Sequence, residues 1–137
     1  MSRIPRSQDV VLPILRACPE LSGVKIGSWY EDIDYREFPL IHIRNLGGKR
    51  HSTHPFQLSS SVIEMTCYGT KDLPTTEDMY NDALDALYDA QQRQILTPAG
   101  SLHSVMETMG MTQFGSPFQD SWRVQGLIKL GIRPRRQ

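Results

Sequence analysis

The chain has 137 residues, 39% of them apolar and 22% charged, and its acidic and basic residues balance at 15 each. One domain with its own core fits that length, and a formal net charge of zero argues against a polycationic surface for coating nucleic acid. Two cysteines are too few for a disulfide framework, and no apolar run approaches the roughly 18 residues of a membrane-spanning helix.

Met1 to Arg6 lack the apolar core of a signal peptide, so the expectation is a soluble protein made in a reducing cytoplasm. Ser7 or Asp9 can cap a first helix carrying Val10, Val11, Leu12, Ile14, Leu15 and Ala17. Pro13 suits that helix only if it lies in the first turn, and Pro19 and Gly23 end the element. Val24 and Ile26 alternate with Lys25 and Gly27 in a short strand. Residues 29–37 then form an acidic connection containing Glu31, Asp32, Asp34 and Glu37.

Leu40 to Arg44 reads as a strand by its β-branched content and alternation. Residues 45–55, with paired glycines and Lys49, Arg50, His51 and His54, read as a mobile solvated loop. Phe56 to Tyr68 is expected to be the longest strand, with Ile63, Met65 and Cys67 buried on one face and Glu64 and Thr66 wet on the other.

A Thr cap at 75–76 followed by Glu77 and Asp78 marks the start of a long helix. Its apolar stripe is Met79, Ala83, Ala86, Leu87 and Ala90, flanked by Tyr80 and Leu84. After Thr97 to Gly100, Leu102 to Met109 forms a fourth strand, and residues 110–121 form a loop pinned by Phe114 and Phe118. Trp122, Val124, Gly126, Ile128, Leu130 and Ile132 alternate with more polar positions in the clearest strand, before the tail of Arg133, Arg135 and Arg136. The assembled expectation is one α+β domain over 1–137: a mainly antiparallel sheet of about five strands, two helices on one face, in the order α-β-β-β-α-β-β. Open sheet edges favour pairing with other chains, so oligomerisation is expected.

Chemistry is sparse. Asp78, Asp82, Asp85 and Asp89 line one stripe of the long helix; they suit a solvated face better than a cation site or an acid/base pair, which needs burial to separate two pKa values. His51 and His54 lack a third ligand at a recognisable spacing. Ser59, Ser60 and Ser61 lack a glycine-flanked elbow, and Gly47-Gly48-Lys49 lacks the spacing of a phosphate loop. Cys67 with His42 is more simply explained by packing of adjacent strands than as a nucleophile pair. Arg3, Arg6, Arg133, Arg135 and Arg136 have no stacking aromatics among them for nucleic-acid readout. Neither a catalytic residue nor a metal or cofactor site is expected.

The pattern around Val10–Leu15, Phe38–Gly48, Ser61–Gly69, the Ala/Leu helix and Trp122–Ile132 resembles the tail-terminator proteins of long-tailed, siphovirus-type bacteriophages over nearly the whole chain. The resemblance implies a virion structural protein, not an enzyme, made in the host cytoplasm and placed at the head-proximal end of the tail. Six copies would ring the last layer of tail-tube protein, stop tube polymerisation and present a surface to the head–tail connector or neck protein. DNA would pass through the lumen without sequence-specific binding, and no membrane would be involved. Lys49, Arg50, His51 and His54 would then meet Glu31, Asp32 and Asp34 between neighbours, with Arg133, Arg135 and Arg136 as further contacts. The stripe of Asp78, Asp82, Asp85 and Asp89 would face the lumen, a neighbour's basic surface or solvent. The alternatives are another head–tail joining or tail-completion protein, a small metal-dependent hydrolase using His51, His54 and the Asp stripe, and a dimeric module for a small ligand.

Overall fold

The computed structural model describes residues 4–28, 37–118 and 120–135. In chain order these form α1 (Ser7–Arg16), a 3-10 turn (Pro19–Leu21), β1 (Lys25–Gly27), β2 (Leu40–Arg50), β3 (Ser59–Gly69), α2 (Leu73–Gln92), β4 (Gly100–Phe114) and β5 (Trp122–Pro134). The α+β expectation and its element order hold.

The strands make one sheet in the order β1-β2-β3-β5-β4. β1 runs parallel to β2, and every other pairing is antiparallel. Ile41 pairs with Cys67, which pairs with Val124, and Ile63 pairs with Ile128, so β-branched and apolar side chains share one pleat face. Both helices cover that face. Val10, Val11 and Leu15 of α1 and Tyr80, Ala83 and Leu87 of α2 are fully buried in a core shared with Ile41, Ile63, Leu130 and Ile132. Gly126 lets α2 approach: a Cβ there would overlap the Tyr80 hydroxyl.

Helix ends depart from expectation. Asp72, not a Thr, caps α2 by accepting from the Thr75 N–H at 2.7 Å; Pro74 follows within the first turn, which holds no acid. Neither Ser7 nor Asp9 caps α1; Arg6 occupies the cap position without a capping side chain and pairs with Asp9 at 3.1 Å. Pro13 lies inside α1, where it removes the N–H that Asp9 C=O would accept. Burial of Val10, Val11, Ile14 and Leu15 outweighs that loss, since each large side chain withdrawn from water contributes about 1.5–3 kcal/mol.

Strand lengths also change. β2 continues to Arg50, so half of the expected 45–55 loop is ladder, with a register shift between Asn45 and Gly48. β3 begins only at Ser59, and the longest strand is β4 with 15 residues. β4 takes in residues 110–114, which leaves a loop only at 115–121. Thr66, expected to be wet, is 1% exposed and donates to Gln125 Oε1 at 3.1 Å. Its half of the second sheet face is not bare: Phe118 packs 5.1 Å from the Tyr68 ring and 5.5 Å from that of Phe38. Arg123 ties the same loop down, donating to Gln125 Oε1 at 3.0 Å and Gly115 O at 3.4 Å while its guanidinium lies over Phe114. The opposite half of that face, around Lys129, stays open.

Candidate functional site

Two charged surfaces of opposite sign stand out. The first is the β2–β3 hairpin, whose residues 40–58 include no acid. Its ladder runs to Arg50 opposite Ser59. Beyond it the His51 N–H donates to Leu58 O at 2.9 Å. His51 Nδ1 accepts from the backbone N–H groups of Thr53 at 3.2 Å and His54 at 3.1 Å, and the two imidazoles stack 5.2 Å apart. The turn is therefore shaped by its own hydrogen bonds. The Arg50 guanidinium lies 5.8 Å over Phe56, an exposed contact of about 0.5–1 kcal/mol. Lys49, Arg50 and His51 line a concavity of about 370 Å³ together with His103, Lys129 and the hydroxyl-bearing Ser60.

The second surface is a groove of about 560 Å³ on the outer side of the helices. Ile14, Ala86, Ile95 and Leu96 give it an apolar lining, and Glu20, Asp82, Asp85 and Asp89 stand around it. Asp89 pairs with Arg93 at 3.0 Å. Among the described residues no salt bridge reaches Glu20, Asp82 or Asp85. Partial burial, then repulsion from Glu20, Asp78 and Asp85, raises the pKa of Asp82.

The two surfaces face opposite ways. Gly126 abuts Tyr80 of α2, and Lys129 lies three residues further along an unbroken ladder with β3, hence on the other face. Lys49 pairs with Ser60 in that concavity, while the acidic groove opens on the helical side.

The expected residues separate accordingly. Lys49, Arg50 and His51 come together, and His54 joins them through the turn. Asp82, Asp85 and Asp89 line the groove, whereas Asp78 borders a neighbouring concavity with Glu20 and Asp82. Arg133 is exposed one residue before the end of β5, and Arg135 donates its backbone N–H to Ala99 O at 3.2 Å. Glu31, Asp32, Asp34 and Arg136 lie outside the described residues. His51 lines one concavity and Asp82, Asp85 and Asp89 another, and no group of three or more His, Cys, Asp or Glu among the described residues is arranged to hold a metal ion. Cys67 pairs with Ile41 and His42 with Thr66, so the two point to opposite faces and form no nucleophile pair. Burial raises the Cys67 thiol's pKa and lowers that of the His42 imidazole. Among the described residues no helix is long and apolar enough to cross a membrane.

Sequence reasoning missed Glu20, His103 and Lys129. Register brings His103 and Lys129 to the hairpin, and Glu20 reaches the α2 stripe only through the 3-10 turn. Lys129's polar place in the β5 alternation was the one available signal.

Residues 3–137 match the family model described as phage tail termination protein. The chain is 53% identical to the Gene 22 protein of Mycobacterium phage D29 over 136 residues, covering 99% of this chain and 98% of that protein. It is 51% identical to the Gene 22 protein of Mycobacterium phage L5 over 133 residues, covering 97% and 96% respectively.

Proposed function

Because the chain belongs to the family of phage tail termination proteins, a structural family of the virion, we propose that it caps the tail tube at its head-proximal end as a ring of six identical subunits. The ring docks on the last layer of tail-tube protein, ends its polymerisation and offers its other side to the head–tail connector. The subunit acts as one domain, made in the host cytoplasm and working through its surfaces. Residues of the basic hairpin (Lys49, Arg50, His51, His54), the acidic connection (Glu31, Asp32, Asp34) and the tail (Arg133, Arg135, Arg136) make contacts with neighbours or with the tube.

The observation that supports this reading most is the pair of unlike charged surfaces on opposite sides of one sheet. A surface that is not complementary to itself favours head-to-tail contacts, which close into a ring when the rotation divides the circle. Closure uses up the lateral sites. DNA passing through the lumen meets a subunit of zero formal net charge, which limits the counterion-release binding that basic proteins show.

The test is to add the purified protein to polymerising tail-tube subunits and measure tube lengths by electron microscopy. Tubes that stop growing and carry an annular cap at one end support termination. A neck or tail-completion subunit would bind the connector and leave elongation unchanged, and that outcome would overturn the proposal.

A further inference from the structure

We infer that neighbouring copies join by seating the basic β2–β3 hairpin of one in the groove between α1 and α2 of the next. This rests on the ring reading and supplies the contact that closes it.

The groove needs a partner of particular chemistry. Its lining is apolar, and Leu96 within it is 55% exposed. Its rim carries Glu20, Asp82 and Asp85, with no cation bridging them among the described residues. Like charges held beside a nonpolar floor repel one another more strongly than in open water, and partial burial, with that crowding second, raises the pKa of Asp82. An occupant should therefore bring an apolar side chain flanked by cations.

The hairpin of a second copy has that composition. Phe56 is 53% and Leu46 41% exposed, unusual for large apolar side chains beside Lys49 and Arg50. The cation over the Phe56 ring travels with it. Because the turn is held by its own hydrogen bonds, docking would order little additional chain, which lowers the entropic cost of association. The hairpin and the groove lie on opposite sides of the subunit, so one molecule cannot satisfy itself, and each copy gives a hairpin and receives one. A DNA backbone would match the cations but would leave Phe56 and Leu46 in water and the acidic rim unbridged.

The experiment uses the full chain and three variants: Glu20→Lys with Asp85→Lys, Lys49→Glu with Arg50→Glu, and all four changes together. All four side chains are exposed, and circular dichroism establishes that each variant is folded. Native mass and particle images follow assembly against protein concentration. Each double variant should need about tenfold more protein or worse to assemble, and the quadruple variant, with both charges exchanged, should recover rings. Wild-type protein that forms no ring, alone or on tubes, would overturn the ring reading itself. If wild type forms rings, the inference alone is overturned in any of three cases: double variants that assemble as well as wild type, a quadruple variant that stays dissociated, or intact rings of the hairpin variant that have merely lost binding to a duplex DNA probe. Should a double variant fail to fold, Asp85→Asn and Arg50→Gln, expected to weaken assembly and reduce its salt sensitivity, decide the question in its place.

Discussion

Replacing Gly126 with alanine should destabilise the subunit through one identifiable overlap. A Cβ at this position would collide with the Tyr80 hydroxyl, lie 2.8 Å from Cζ of that ring and 3.0 Å from the Met109 carbonyl oxygen. The ring is fully buried and the carbonyl belongs to a paired strand, so neither can move aside freely. Overpacking of this kind costs about 1–3 kcal/mol, which exceeds the roughly 0.4–1 kcal/mol gained when alanine restricts the unfolded chain. At this chain length each kcal/mol lowers Tm by about 4 °C.

Tyr80→Phe probes the same contact from the other side. The hydroxyl is buried and has no hydrogen-bond partner among the described residues, so its removal recovers a desolvation penalty of about 1–3 kcal/mol and should leave stability equal or higher. Combined with Gly126→Ala, it removes the worst overlap but not the approach to Cζ. The double variant should therefore cost about 1 kcal/mol less than the sum of the single effects. Urea denaturation followed by circular dichroism, at concentrations that keep the subunit monomeric, measures the full cycle. A Gly126→Ala variant as stable as wild type, or a Tyr80→Phe variant clearly less stable, would refute the packing argument.

Asp72 offers a pH-dependent test. Its hydrogen bond from Thr75 holds the carboxyl below its usual 3.8, so the cap stabilises the fold above that pH and loses its contribution as pH falls through the lowered folded value. Asp72→Ala should lower Tm at neutral pH, with the gap to wild type closing as the pH drops below 3.8. For the thiols, burial raises both pKa values, but Cys67 is fully buried whereas Cys18 is partly exposed and accordingly the accessible one. Ellman's reagent should therefore modify only Cys18 in the native protein, both cysteines after unfolding, and neither in native Cys18→Ser protein.

Much of the fold was legible in the sequence because local pattern and burial agree. The alternation from Trp122 to Ile132 and the stripe from Met79 to Ala90 both mark core faces, and both elements formed where the pattern put them. Residues 45–50 misled because Gly47 and Gly48 have positive φ, 109° and 158°, and a glycine pair in a strand irregularity looks, in sequence, like one in a turn. Residues 110–114 were read as loop because β4 shifts register three times against β5, which erases the period-two signal. Thr66 looked exposed by alternation; its hydroxyl instead donates to buried Gln125, and Phe118, 52 positions along the chain, packs on Tyr68 of the same face. The charged surfaces were half legible: the hairpin cations and the Asp stripe show in sequence, but their placement on opposite sides depends on strand register and helix packing.

Native mass measurement of the purified protein, combined with averaged particle images, tests the central claim most directly. Assembly into a ring of six predicts annular particles near six times the 15.6 kDa subunit, about 94 kDa. A protein that remains a 15.6 kDa monomer at high concentration and also on the ends of tail tubes would contradict the account.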